Sequence, residues 1–113
     1  MGVFVFGSNL LGSHGGGAAR FALEKHGAKH CEGIGHFGNS YAIPTCDENI
    51  RPMSLERIKP HILVFIDYAR ARPELSFDLT HIGCGIAGYN WQRDMRPLFP
   101  TEIPSNVTIL EPI

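Results

Sequence analysis

Three consecutive glycines, Gly15-Gly16-Gly17, stand between Ser13-His14 and a helical pattern beginning at Ala18. A second glycine-dense segment, Gly83-Cys84-Gly85-Ile86-Ala87-Gly88, follows a strand pattern and leads toward Tyr89 and Trp91. Glycine lets backbone approach a ligand without a Cβ in the way. A helix start offers unpaired N–H groups and the positive end of its dipole, which favours an anion. Two such loops at the carboxyl ends of neighbouring strands can hold a diphosphate between them. Neither segment is a P-loop, because no Lys-Ser/Thr pair follows its glycines. A dinucleotide fold of two mononucleotide halves is not expected in 113 residues.

Beside these loops stand the side chains able to do covalent or proton chemistry. Cys84 lies between two glycines and Cys46 follows Pro44-Thr45. A reactive thiol needs a lowered pKa and a base in reach, and His14 or His81 are the candidates. The plainer reading of each cysteine is a small residue packed under a turn. Asp47 and Glu48 are acids beside a turn, so His14, Cys46, Asp47 and Cys84 form the catalytic candidate set. His14 is also a candidate ligand contact. His26, His30, Cys31 and His36 fit no four-ligand zinc spacing, and neither metal nor cofactor is expected. Tyr89 and Trp91 are placed either to stack on a ligand or to pack at a helix start.

These loops need rigid elements to aim them. Val3-Phe4-Val5-Phe6 reads as a strand buried on both faces, and residues 18–26 as a helix capped by Gly27. Residues 28–39 read as irregular. Ser40-Tyr41-Ala42-Ile43 reads as a strand stopped by Pro44. Ser54 caps a helical stretch running to Arg72, with Pro60 ending a short first turn and opening the main helix. Residues 75–82 and 107–110 read as strands, and residues 91–99 as a short helix. Strands alternating with helices predict a compact three-layer α/β fold over residues 1–113, with a central mixed sheet flanked by helices.

The composition is 43% hydrophobic and 19% charged, enough apolar material for a core, with a formal net charge of −1. That balance argues against bulk nucleic-acid binding. The longest apolar run, Ile62-Leu63-Val64-Phe65-Ile66, is far shorter than a membrane span. Three cysteines without a C-x-x-C pair predict reduced thiols and a cytoplasmic location.

Three blocks together resemble the macrodomain family of ADP-ribose-binding modules. They are Val5-Phe6-Gly7-Ser8-Asn9 with His14-Gly15-Gly16-Gly17-Ala18-Ala19, then Tyr41-Ala42-Ile43-Pro44, then residues 81–89. The last block looks most like the branch containing the terminal ADP-ribose protein glycohydrolase, and like small bacterial and phage macrodomain-like proteins. The resemblance implies that Asn9 and Tyr89 flank the distal ribose and that Gly15, Gly16, Gly17 and Ala18 run beside ribose and diphosphate. It also implies that Gly83, Cys84, Gly85, Ile86, Ala87 and Gly88 cradle the phosphates, with Ser8 at the end of the first strand. The acids of the hydrolytic branches are replaced here by Ala19 and Ala87, and the lysine nucleophile's place reads Pro44-Thr45-Cys46. The expected partner is therefore an NAD-derived or other phosphate-containing small molecule, bound without membrane involvement, in a monomer or a homo-oligomer. The alternative is an ADP-ribosyl hydrolase or phosphoesterase.

Overall fold

The computed structural model describes residues 2–111. Its elements run β1 (Val3–Asn9), α1 (Gly17–Lys25), β2 (Gly35–Phe37), β3 (Ser40–Cys46), α2 (Leu55–Arg70), β4 (Phe77–Leu79) and β5 (Val107–Ile109). Between β4 and β5 lie a five-residue π-helical turn, Trp91–Met95, and a 3-10 turn, Arg96–Leu98. The strands form one mixed sheet in the order β2-β3-β1-β4-β5. β1 is parallel to β3 and β4, β4 is parallel to β5, and only the edge strand β2 is antiparallel. The expected three-layer α/β arrangement is what the chain adopts.

The alternation of β1 divides the core between the two faces, because successive strand side chains point to opposite sides. Val3 and Val5 join Tyr41, Ile43, Phe77 and Leu79 beneath α2, which contributes Ile58, Ile62, Phe65, Ile66 and Ala69. Those helix positions recur at three- and four-residue intervals, so one stripe of α2 meets the sheet. Phe4 and Phe6 face the other way, where Ala42 and the α1 residues Ala19 and Ala22 form a thinner layer. α1 can sit close to the sheet because its inward residues are alanines.

Several elements differ from their sequence-based limits. β1 runs past Phe6 to Asn9, paired along β3, and residues 28–39, expected to be irregular, contain the edge strand β2, which pairs with β3. β3 does not stop at Pro44 but runs to Cys46. Its ladder to β2 ends at the Gly35–Ala42 pair, so Pro44 lies past the point where that side needs a donor. α2 is one helix with Pro60 inside it, and Ser54 caps it by accepting the Arg57 N–H. Pro60 and Glu56, whose carbonyl loses its partner, are both exposed, and water can satisfy the carbonyl. β4 covers only Phe77–Leu79 of the expected eight-residue strand. Residues 91–99 form π and 3-10 turns in place of a regular helix.

Among the described residues no helix is long and apolar enough to cross a membrane.

Candidate functional site

β1, β3 and β4 end side by side, and their carboxyl ends frame a cleft of about 520 Å³. β1 contributes Gly7, Ser8 and Asn9; the loop into α1 contributes Ser13 and Gly15 through Ala19. The end of β3 adds Thr45, Cys46 and, from the turn beyond, Ile50. Thr80, His81, Ile82, Gly83, Gly85, Ile86 and Ala87 close the opposite wall. Both glycine loops thus line one cavity. The backbones must come close to do so: a Cβ at Gly7 would stand 3.3 Å from both the Gly83 nitrogen and Thr45 Oγ1.

The first loop is anchored from beneath. Ser8 donates its hydroxyl to the Gly33 carbonyl, and Cys31 N–H donates to the Gly12 carbonyl at 2.8 Å. Asn9 brackets the loop: its Nδ2 donates to Ser13 O at 2.8 Å, and its Oδ1 accepts the Ser13 N–H at 3.0 Å. Gly33 permits this packing, since a Cβ there would lie 2.0 Å from the Asn9 carbonyl oxygen.

The cradle itself is bare backbone. α1 begins at Gly17 with Gly16 as an uncapped N-cap, and its first helical bond is Arg20 N–H to Gly16 O at 3.2 Å. The N–H groups of Gly17, Ala18 and Ala19 have no acceptor among the described residues, and neither do those of Gly85, Ile86 and Ala87. Added Cβ atoms at Gly16 and Gly85 would meet nothing within 4 Å. Among the described residues lining the cleft, none is Asp, Glu, Lys or Arg. An anion there meets amide dipoles and a helix terminus without carboxylate repulsion.

A second hollow of about 400 Å³ adjoins the first and shares Gly17, Ala18, Thr80 and His81 with it. Phe4, Phe21 and Leu110 give it apolar walls, and Glu111 also lines it. Phe4 meets Phe21 edge-on at 5.2 Å, leaving Phe21 half exposed.

Of the residues expected at the site, Ser8, Asn9, Gly15, Gly16, Gly17, Ala18, Gly83, Gly85, Ile86, Ala87 and Cys46 line the cleft. His14, Asp47, Cys84, Gly88 and Tyr89 are not among the residues lining it. His14 is 1% exposed and packs edge-on against Phe6 at 5.4 Å. Its Nε2 donates to the Glu32 carbonyl at 3.2 Å, and its Nδ1 has no partner among the described residues. Asp47 turns its carboxylate onto the backbone, accepting from Asn49 and Arg51, and the Arg51 N–H first among these holds its pKa low. The Tyr89 hydroxyl donates to the Met53 carbonyl at 2.6 Å, and Gly88 closes a turn onto the Gly85 carbonyl. Trp91 is buried and stacks flat on His81, 4.3 Å away and 2° from parallel, so it supports the cleft wall from behind.

Neither candidate thiol is activated. Burial pushes the Cys46 thiol up, the Thr45 side chain beside it offsets part of that rise, and the nearby Asp47 charge adds a smaller rise. Cys84 is exposed, directs its thiol to the Ile82 carbonyl at 3.6 Å, and is likewise raised by desolvation and Asp94. A nucleophilic cysteine requires the opposite shift.

Sequence reasoning did not place Gly7, Ser13, Ala19, Thr45, Ile50, Thr80, His81 or Ile82 in the lining. Thr80 and His81 are the residues just past β4, a place that parallel sheets reserve for ligand contacts. Residues 83–88 also carry the G-x-G-x-x-G spacing. They lead into a π-helical turn, not a crossover helix, so the spacing does not make a dinucleotide-type βαβ unit.

Among the described residues no group of three or more His, Cys, Asp or Glu side chains is placed to hold a metal ion. Comparison with protein-family models, curated proteins and solved structures gives no match.

Proposed function

We propose that this protein binds ADP-ribose or a related NAD-derived nucleotide, seating the diphosphate between residues 15–19 and 83–87. The observation that carries the reading is the pairing of two sets of unpartnered N–H groups across one uncharged cleft. Its volume of about 520 Å³ lies within the range of small-molecule sites. The adjoining hollow with Phe4 and Phe21 offers a flat apolar berth for the base, directly continuous with the start of α1. This arrangement agrees with the macrodomain resemblance of the three sequence blocks. A binder of this kind withdraws a nucleotide from solution, the sequestering role that the likeness to small phage proteins implies.

Binding is favoured over turnover on chemical grounds. The described lining of the 520 Å³ cleft offers no carboxylate base, Glu111 belonging to the adjoining hollow, and burial raises the pKa of both nearby thiols. The remaining acid–base group at the wall is His81, flat against Trp91.

Titration calorimetry with ADP-ribose, followed by chromatography of the recovered ligand, tests the reading. Stoichiometric heat and intact ADP-ribose are expected. Absence of heat contradicts it, and accumulation of a cleavage product replaces the binder with the hydrolase.

A further inference from the structure

Ile50 has a left-handed backbone, φ 59°, in a segment where the chain could use glycine or asparagine. Side-chain branching at Cβ makes this conformation costly for isoleucine. The residue closes a turn between Cys46 and Pro52, which pair across the hairpin. The turn is held by backbone and by Asp47, not by the Ile50 side chain: Asp47 N–H donates to Arg51 O at 2.8 Å, Ile50 N–H donates to Asp47 O at 3.0 Å, and Asp47 Oδ1 accepts from both Asn49 and Arg51. Nor does the core require it, since Ile50 belongs to neither hydrophobic cluster and is 36% exposed. What the side chain does is line the cleft. Strain held at a ligand cavity, with no packing need to justify it, points to a ligand contact.

The sheet order says which part of a ligand it meets. The phosphate cradle follows β1 and β4, and the apolar hollow lies further along, toward β5. Ile50 hangs from the end of β3, on the other side of β1. A ligand threaded along the carboxyl edge therefore has its base at one end, phosphates in the middle and its last group beside Ile50. An aliphatic side chain offers no donor to a phosphate but packs well on the C–H face of a sugar ring.

Resting on the nucleotide-binding reading above, we infer that Ile50 is a specificity-determining residue. It contacts a sugar ring beyond the diphosphate and so selects ADP-ribose-type ligands over simple nucleoside diphosphates.

The test compares Ile50→Gly and Ile50→Asn with the unaltered chain, using ADP-ribose and ADP as probes and a thermal melt for each variant. Relief of the left-handed strain raises the melting temperature of Ile50→Gly. Loss of the aliphatic contact weakens ADP-ribose by about tenfold, while ADP binds within twofold of the unaltered chain. Ile50→Asn, which keeps a stiffer turn, gives the same loss for ADP-ribose. Equal weakening of both probes, unchanged ADP-ribose affinity, full recovery by asparagine, or a lower melting temperature for Ile50→Gly each overturns the inference while leaving the cleft's role standing. Failure of the unaltered chain to bind either probe removes the binding reading, and the inference falls with it.

Discussion

Replacing Gly16 by glutamate separates the chemistry of the cradle from the stability of the fold. Gly16 is the N-cap of α1, with φ −160° and ψ 169°, an extended conformation open to any residue. An added Cβ meets nothing within 4 Å, and Gly16 lines the cleft, so a glutamate there brings a carboxylate close to a bound anion. A carboxylate about 6 Å from one phosphate charge costs roughly 0.7 kcal/mol at the dielectric of water and roughly 2.8 kcal/mol at an effective value near 20. For two phosphate charges the range is roughly 1.4–5.6 kcal/mol, a loss of tenfold at the least and about 100-fold at a mid-range 3 kcal/mol. Stability moves little. A negative charge at a helix start gains about 0.3–1 kcal/mol, and replacing glycine at a compatible angle gains about 0.4–1 kcal/mol through the unfolded chain. These gains offset the weaker capping of a non-glycine residue. The melting temperature should stay within about 5 °C of the unaltered protein. The assay is a pair of measurements on Gly16→Glu, a thermal melt and a calorimetric titration with ADP-ribose. A folded variant binding within threefold of the original would refute the claim that the α1 terminus seats the anion. A fall of more than about 10 °C would refute the claim that position 16 faces open space.

Other consequences can be checked separately. Gly33→Ala forces a Cβ to within 2.0 Å of the Asn9 carbonyl oxygen, and overpacking of this kind costs about 1–3 kcal/mol; a thermal melt should show a clear loss, and no loss would mean the two backbones are not in contact. Cys46, buried and with its thiol pushed up, should be alkylated by iodoacetamide at pH 8 far more slowly than the exposed Cys31, as peptide mass mapping would reveal; equal rates contradict the burial. Asp47 has its pKa lowered chiefly by the Arg51 N–H, so its contribution is complete above the unfolded carboxylate pKa and disappears as pH falls through the lower folded value. Asp47→Asn should therefore flatten part of the acid limb of a pH–stability curve measured below pH 5, and an unchanged limb would show that the turn at 47–51 does not depend on the charge.

The fold was readable wherever residue type and spacing carried a strong physical preference. The stripe of Ile58, Ile62, Phe65, Ile66 and Ala69 determines which face of α2 is buried, and the unbroken apolar run Val3-Phe4-Val5-Phe6 marks a strand covered on both faces. The glycine loops were readable because glycine at strand ends has few other uses. What escaped was set by neighbours. Pro44 continues a strand because β2 is short, and Pro60 sits in a helix whose outer side is wet. His14 looked like a ligand contact from its place in the loop, yet Phe6 and the Glu32 carbonyl claim its ring. Thr45, Ile50 and Thr80 have unremarkable sequence contexts and reach the cleft only because β1, β3 and β4 end together.

The central claim concerns which amide hydrogens meet the ligand, and a two-dimensional 15N–1H spectrum recorded during titration with ADP-ribose reads them one by one. The account predicts saturable shifts at Gly17, Ala18, Ala19, Gly85, Ile86 and Ala87, with amides of α2 left in place. Saturable shifts centred on any other surface, with those six unmoved, would contradict it.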